Sequence, residues 1–286
     1  MIFKTLQILF FNILYLILKI LEIISNRSIL LRFKEFVENK CYLKKNISNK
    51  KISFFTPSEL IKWRVKTILD KEPETISWIN EFKERSIFWD LGANVGLYSI
   101  YAASKRKRIK VFSFEPSSSN LRTLSRNISI NNLQNKINIV PFALSKNKNK
   151  FLLLKESSFN EGGALNSFGV NYNFSGKKFF SKNSYNTFGT SLDNLIKLKI
   201  LKVPNYIKID VDGIEDLILA GAKNLLLNKK IKSILIEIND KFKVQKKEIL
   251  KIMKKNKFQL ISKSRNEDFY SNKDFSGIYN YIFTKK

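Results

Sequence analysis

Short apolar runs and amphipathic stretches alternate along most of this chain. Apolar runs of strand length predict strands at 87–91, 109–114, 137–142, 151–155, 206–210, 231–238, 258–262 and 278–284. Apolar positions at helical spacing predict helices at 97–104, 117–130, 191–198, 214–227 and 244–256. Alternating strands and helices predict an α/β fold, in which a mostly parallel sheet carries helices on both faces. No helical pattern separates the last two strands, so we expect an antiparallel C-terminal pair.

Two segments depart from this alternation. Residues 52–86 carry helical periodicity, and the Pro57-Ser58-Glu59 and Pro73-Glu74 sequences indicate two helix starts. Residues 156–189 are rich in Asn, Ser, Gly and Phe and show no helical stripe, so we expect a long loop or hairpin insertion of the kind that covers active sites. The sequence therefore predicts one domain at 52–286 with a helical lead-in and an insertion.

Residues 1–26 are the most apolar part of the chain and predict a helix. Twenty helical residues reach ~30 Å, the thickness of a bilayer core. The polar residues fall within one arc of roughly 140°, which is typical of a helix lying in the membrane interface; they are Lys4, Gln7, Asn12, Lys19, Glu22 and Asn26. A membrane span, or docking on the protein's own domain or on a second subunit, fits the pattern as well. Residues 27–51 are polar and basic, and we expect a connector there.

Basic residues near the apolar segment predict its orientation. No small-residue cleavage site follows Ile24, which disfavours a cleaved signal peptide. If the segment spans a membrane, Arg27, Arg32 and Lys34 outweigh Lys4 and place the following domain in the cytoplasm. We therefore expect a cytoplasmic domain that residues 1–24 attach to the inner membrane face.

Composition excludes several kinds of chemistry. The chain has no histidine, so any acid–base catalysis must use Asp, Glu, Lys or Tyr. The single cysteine, Cys41, excludes a disulfide framework and a cysteine-rich metal site. The formal net charge of +28 attracts anionic partners. The lysines are scattered and accompany many Asn and Ile residues, which favours a compositional bias over a dedicated anion-binding surface.

The strand at 87–91 runs into an acid and then two glycines. Asp90, Gly92 and Gly96 give the spacing D-x-G-x-x-x-G, with Asn94 between the glycines. Glycine lets the backbone approach a ligand closely, and a strand-to-helix turn aims N–H groups at it. Dinucleotide enzymes use G-x-G-x-x-G instead, and an acid at the strand end disfavours a diphosphate. The turn therefore favours a cationic ligand that bears an amino acid, such as S-adenosylmethionine.

Candidate cofactor residues also end the next two strands. Glu115 follows Asp90 by 25 residues, where a carboxylate can accept hydrogen bonds from both ribose hydroxyls of a nucleoside. Ala143 and Leu144 follow the third strand, where an adenine ring would lie, although strand packing explains them equally well. The predicted cofactor site comprises Asp90, Gly92, Asn94, Gly96, Glu115, Ala143 and Leu144.

The segment at 206–222 is the most distinctive. Lys208 and Asp210 share one face of a strand, and a lysine in a buried strand is costly unless it is paired. A structural ion pair and a site for the cofactor's sulfonium and an acceptor hydroxyl both explain them. Asp212 and Glu215 follow in the turn and first helical turn, where carboxylates also suit the helix dipole.

In order and spacing, these segments resemble the FkbM-type methyltransferase family. The resemblance covers roughly residues 85–240 and rests on the segments 88–96, 114–116, 192–193 and 208–215, followed by Gly221-Ala222 and Ile236-Glu237. It implies a class I, Rossmann-like methyltransferase fold with a seven-stranded sheet, and S-adenosylmethionine-dependent O-methylation, often of sugar or polyketide hydroxyls. Asp212 stands where the family usually has Glu, which shortens the side chain but keeps its charge.

The resemblance also suggests roles in methyl transfer. Asp210 is the leading candidate to accept or orient the acceptor's proton, with Lys208 tuning it and with Asp212 and Glu215 completing the predicted catalytic set. Alternatively, burial lowers the pKa of Lys208 and the lysine takes the proton. Oxygen ligands at Asp210, Asp212 and Glu237 suit Mg²⁺, but nothing in the sequence requires an ion and we predict no metal site.

We therefore expect an S-adenosylmethionine-dependent O-methyltransferase that acts on a sugar or on a glycan- or lipid-linked small molecule, as in polysaccharide biosynthesis. An RNA-directed methyltransferase and an inactive, membrane-attached binding module are the alternatives. Nucleic acid is not an expected partner, because residues 210–213 replace the Asn/Asp-Pro-Pro-aromatic element of amino-directed enzymes. No segment specifies an oligomeric state.

Overall fold

The computed structural model describes residues 2–146, 149–269 and 275–285. They form two units, one ending at Tyr42 and one beginning at Leu43. The first unit holds helices α1 (Ile2–Ser25) and α2 (Ile29–Glu38). Among the described residues, α1 is the one helix that could cross a membrane by length and composition. Two of its three charged residues pair with each other, since Lys19 Nζ lies 2.9 Å from Glu22 Oε2.

The predicted connector at 27–51 is wrong, because this segment folds into regular elements. It contains α2 and most of a two-stranded sheet, β1 (Tyr42–Ile47) and β2 (Lys50–Phe55). Ser48 and Asn49 join the strands with φ angles of 50° and 62°, the left-handed conformation that two-residue hairpin turns require. The strands carry several lysines, which hide their hydrophobic alternation in the sequence. In the structure, Ile47, Ile52 and Phe54 are buried.

The second unit is built on a seven-stranded sheet with the order β12-β13-β11-β10-β3-β4-β5. Its strands are β3 (Ile87–Leu91), β4 (Lys110–Phe114), β5 (Ile137–Val140), β10 (Tyr206–Ile209), β11 (Ser233–Asn239), β12 (Phe258–Ser264) and β13 (Ile278–Lys285). The inner pairs are parallel, whereas β13 runs antiparallel to both of its neighbours. The predicted α/β sheet and its antiparallel C-terminal strand are confirmed.

Helices cover both faces of this sheet. They are α3 (Glu59–Lys66), α4 (Pro73–Asn80), α5 (Leu97–Lys105), α6 (Ser118–Ile130), α7 (Leu192–Lys197), α8 (Glu215–Ala220), α9 (Lys223–Leu227) and α10 (Lys243–Lys255), with a short 3₁₀ helix at Glu267–Phe269. Side chains alternate along each strand, so Phe88 packs with α3 to α6 while Trp89 and Leu91 pack with α7 to α10. The two helical layers therefore bury opposite faces of the same strands.

A four-stranded sheet with the order β6-β9-β7-β8 contains the predicted insertion. Its strands are β6 (Ala143–Leu144), β7 (Lys150–Glu156), β8 (Ser167–Phe168) and β9 (Asn183–Thr190). The insertion is thus a hairpin, in which β7 and β9 pair antiparallel. The sequence does not predict β9, because its mostly polar residues become a strand only by pairing with β7.

The helix predicted at 214–227 is interrupted at Gly221 and forms α8 and α9. The backbone of Gly221 packs closely on residue 145, since a Cβ at this position would lie 2.5 Å from the Ser145 carbonyl oxygen. The Gly221 carbonyl also accepts a hydrogen bond from the Asp193 N–H at 2.9 Å. Tertiary contacts therefore break a helix that periodicity alone presents as continuous.

Candidate functional site

A cavity of about 510 Å³ opens at the carboxyl ends of the parallel strands, the edge where open α/β sheets bind ligands. Seven of the predicted site residues line it: Gly92, Asn94, Glu115, Ala143, Leu144, Asp210 and Asp212. The other four are absent from its lining within the described part of the chain: Asp90, Gly96, Lys208 and Glu215. The structure therefore places residues of the predicted cofactor set and of the predicted catalytic set around one cavity. The four remaining predicted residues lie outside its described lining.

The turn after β3 holds its backbone close to the end of β10. Gly92 has a φ of +83°, and a Cβ there would lie 1.8 Å from the Asp210 carbonyl oxygen. The N–H groups of Gly92 and Ala93 both donate to the Phe114 carbonyl, at 3.0 and 2.9 Å. The N–H groups predicted to face a ligand are thus used within the protein, which makes this turn a poor phosphate site.

Glu115 closes the same turn from the tip of β4. Its Oε2 accepts from the Asn94 N–H at 2.8 Å and its Oε1 from the Ser117 N–H at 2.9 Å. Burial raises the pKa of Glu115 to about 7 against the opposing effect of these donors. The Asn120 side chain also hydrogen-bonds to this carboxylate, which leaves the carboxylate one further acceptor position for a hydroxyl at the cavity wall.

Asp90 and Gly96 support the turn from behind. Asp90 is buried and its Oδ2 accepts from Ser99 Oγ at 2.6 Å, while burial raises its pKa. A Cβ at Gly96, where φ is +87°, would lie 2.4 Å from Leu124 Cδ1, so glycine is needed there for helix packing. Neither residue lines the cavity within the described part of the chain, so their expected contact with a cofactor stays a prediction.

Lys208 is buried in β10 and pairs with Asp210, with 2.6 Å between Nζ and Oδ2. Its neighbour across the sheet is Asp90 on β3. Burial alone would lower the pKa of Lys208, but the carboxylates of Asp210, Glu72 and Asp90 outweigh it and raise the pKa above its ordinary value. A lysine that accepts a proton needs the opposite shift, so the direction of this shift disfavours Lys208 as the base.

Asp212 ties the insertion to the turn after β10. The residue has a φ of 63°, a left-handed conformation in which Asp is enriched. Its Oδ2 accepts from the backbone N–H groups of Leu165 and Asn166, at 2.7 and 3.3 Å. Burial raises the pKa of Asp212 to about 6. Its carboxylate therefore holds the insertion against the cavity.

Glu215 organises the turn that carries Asp212. Its Oε1 accepts from the N–H groups of Val211 and Gly213, at 3.3 and 3.1 Å. Its Oε2 accepts from Gln245 Nε2 on α10 at 2.9 Å. Burial raises the pKa of Glu215 to about 8. With both oxygens occupied behind the cavity, Glu215 is a positioning residue and its expected catalytic role is corrected.

Two carboxylates outside the predicted catalytic set lie close to Asp210. Carboxylate oxygens of Glu72, Asp210 and Glu237 lie within 4.8 Å of one another, whereas the sequence paired Asp210 and Glu237 with Asp212 as ion ligands. Burial would raise the pKa of Glu72, but Lys71 and Lys208 lower it to about 2. Burial raises the pKa of Glu237 well above its ordinary value, and the negative charges of Asp210 and Glu72 add to this effect.

The helical lead-in also contributes to the cavity, which sequence periodicity could not show. Trp63 and Arg64 on α3 and Lys71 after it line the cavity, as does Phe269 of the 3₁₀ helix. The rings of Trp63 and Phe269 are 6.3 Å apart. The signal available in the sequence was a tryptophan next to an arginine. In the structure, Trp63 remains 42% exposed.

Comparison with known proteins supports a methyltransferase. A family model described as "Methyltransferase FkbM domain" matches residues 90–260, more than half of the chain. The hexuronic acid methyltransferase AglP of Haloferax volcanii is 24% identical over 211 residues, which cover 72% of this chain and 78% of that protein.

Solved structures align at lower similarity. Methyltransferase FkbM from Methylobacillus flagellatus KT aligns with a TM-score of 0.44 and 14% identity, covering 71% of this chain and 44% of that one. TrmK from M. capricolum, in complex with S-adenosyl-homocysteine, aligns with a TM-score of 0.43 and 12% identity, covering 74% of this chain and 67% of that one.

Replacing Lys208 tests the charge arrangement under the cavity. Lys208→Met leaves the Asp90 and Asp210 carboxylates without their cation, so we expect the free energy of unfolding to fall by about 3–5 kcal/mol in urea denaturation. The double variant with Asp210→Asn should recover part of this loss, because one uncompensated charge is removed. The control is Lys232→Met, which removes an exposed lysine. A Lys208→Met protein as stable as the control would contradict the assignment.

Proposed function

This chain belongs to the FkbM methyltransferase family, and we propose that it transfers a methyl group from S-adenosylmethionine to a hydroxyl of a sugar or glycan. The observation that carries the proposal is one cavity in which Glu115 lies on one wall and Asp210 and Glu237 lie on another. The first carboxylate suits a ribose, and the others suit a cationic centre and an acceptor hydroxyl. The hexuronic acid methyltransferase among its relatives makes an acidic sugar the first acceptor to test.

The residues of the cavity fit the cofactor. Glu115 offers its remaining acceptor position to a ribose hydroxyl, and Phe142, Ala143 and Leu144 provide an apolar wall for adenine. The close approach at Gly92 leaves no room for a side chain, and the neighbouring carboxylates favour positive charge. When bound, S-adenosylmethionine supplies an electrophilic methyl group on a positively charged sulfur.

Asp210 and Glu237 divide the handling of the acceptor hydroxyl. Asp210 Oδ2 is held by Lys208 at 2.6 Å, so its other oxygen orients the hydroxyl. The Glu237 carboxylate lines the cavity and accepts no hydrogen bond from the described residues, and its raised pKa makes it a stronger base than an ordinary carboxylate. Positioning of the reactants contributes ~7–11 kcal/mol to the rate enhancement, and general base catalysis adds ~10²–10⁴-fold.

Substitution of these two carboxylates should separate chemistry from cofactor binding. We expect Asp210→Asn and Glu237→Gln each to slow methyl transfer by about 10²–10⁴-fold while S-adenosylmethionine still binds. The assay follows tritium from labelled cofactor into hexuronic-acid oligosaccharides, with calorimetry for binding. Asp216→Asn, outside the cavity lining, is the control. Normal turnover by Asp210→Asn would remove Asp210 from the mechanism.

Glu115→Gln tests the proposed ribose contact. An amide offers fewer acceptor lone pairs than a carboxylate, so S-adenosylmethionine should bind about 10-fold more weakly. Because burial raises the pKa of Glu115 to about 7, wild-type affinity should rise as pH passes upward through that value. Calorimetry should show no such rise in the variant.

The stability of the ligand-free protein should respond to pH in the opposite direction. The folded protein holds the Glu115 proton more tightly than the unfolded chain does, because its pKa rises from 4.5 to about 7. This contribution is complete below pH 4.5 and is lost as pH rises through about 7. The decline in unfolding temperature over that window should be smaller in Glu115→Gln, and an unchanged decline would count against a buried, protonated Glu115.

We also propose that α1 attaches the protein to the cytoplasmic face of a membrane. Most of its described apolar side chains are exposed, Leu18 being buried, and Arg27, Arg32 and Lys34 follow it as cations for anionic headgroups. Burial of these side chains in lipid removes apolar area from water.

Vesicle flotation tests this attachment. The wild-type protein should float with vesicles of phosphatidylglycerol and phosphatidylethanolamine, and the double variant Leu9→Glu, Leu16→Glu should remain in the dense fraction. The control, Phe151→Glu, places the same charge on an exposed apolar residue of the second unit and should float like the wild type. Equal flotation of all three proteins would show that α1 is not the membrane contact.

A further inference from the structure

Arg64 is a cation of the cavity that forms no ion pair with an acidic side chain among the described residues. It lies on α3 and lines the cavity, and its Nε–H donates to the Gly162 carbonyl at 3.0 Å. Within the described ranges its side chain makes no ion pair and no other hydrogen bond. A guanidinium has five N–H donors, so the four on its terminal nitrogens remain for a ligand.

The other charges around Arg64 are already committed. Lys71, the second cation of the lining, pairs with Glu72 at 3.0 Å. Asp212 attracts Arg64 from the turn after β10, but its Oδ2 serves the N–H groups of the insertion. Arg64 therefore lies in a cavity with several carboxylates and contacts none of them.

This separation of charge matches a ligand that carries a carboxylate as well as a cationic or polar part. We propose that Arg64 binds a carboxylate in the cavity, through the planar two-pronged contact that guanidinium groups make with this anion. The carboxylate belongs either to the amino-acid tail of the cofactor or to an acidic acceptor sugar. The inference rests on the proposed function and makes it more specific.

Arg64 is held in place for such a contact. The bond to Gly162 fixes the plane of the guanidinium at the junction of α3 and the insertion. Trp63 and Leu60 line the cavity beside it and remain partly exposed, at 42% and 38%. A charged hydrogen bond next to such apolar side chains is stronger than one in open water, and Trp63 offers a flat surface to a sugar ring.

Two pairs of probes separate the sources of the carboxylate. The first compares S-adenosylmethionine with decarboxylated S-adenosylmethionine, which differs only in that group. The second compares methyl β-glucuronide with methyl β-glucoside on protein saturated with S-adenosylhomocysteine. The wild-type protein should prefer the acidic member of one pair, and Arg64→Gln should reduce that preference by about 10- to 100-fold in calorimetry, the size expected for a charged hydrogen bond.

Loss of preference in the first pair assigns Arg64 to the cofactor, and loss in the second assigns it to the acceptor. Lys62→Gln is the matched control, because it removes the same charge from the same helix outside the cavity lining. Arg64→Lys keeps the charge without the planar fork and should recover part of the preference.

Equal weakening of both members of a pair would overturn the proposal, since Arg64 would then only hold the insertion. So would unchanged preferences in Arg64→Gln, or a wild-type protein that distinguishes neither pair. If the wild-type protein binds no S-adenosylmethionine, the proposed function fails, while the glucuronide pair, then measured without S-adenosylhomocysteine, still decides the role of Arg64.

Discussion

The structure depends on one buried cation, Lys208, in the central strand of the sheet. A lone ammonium there would be prohibitively costly, and the fold compensates it with Asp210 on the same strand, Asp90 on the next strand and Glu72 before α4. These contacts join the strand before the glycine turn, the end of β10 and the helical lead-in, three parts that are distant in sequence. The charges that hold the fold together therefore also fix the geometry of the cavity.

The insertion is tied down by polar contacts to the same elements. Asp212 accepts from the N–H groups of Leu165 and Asn166, and Asn94 Nδ2 donates to the Gly163 carbonyl at 2.7 Å. Arg64 holds the adjacent Gly162 carbonyl. The insertion is thus connected to the turn after β3, to the turn after β10 and to α3.

The carboxylates around the cavity illustrate how one chemical group serves different purposes. Asp90 and Glu215 lie behind the cavity and hold its turns, and Asp212 anchors the insertion. Glu115 faces the cavity with its oxygens only partly occupied, and Glu237 faces it with none occupied by the described residues. In a chain without histidine, this gradation distinguishes the groups that can exchange a proton from those that only position the backbone.

Local patterns in the sequence determined the α/β alternation, the glycine turn, the Glu115 position and the Lys208–Asp210 pair, because strand periodicity and motif spacing act over a few residues. The tertiary structure alone decided which carboxylates reach the cavity. Arg64, which lines the cavity, and Glu72, which lies near Asp210 and Glu237, come from segments that carry no motif, and β9 and the hairpin of β1 and β2 form through pairing that their polar sequences do not reveal. Burial and charge proximity arise only when distant segments meet, so the direction of each pKa shift, including the rise at Lys208, could not be known beforehand.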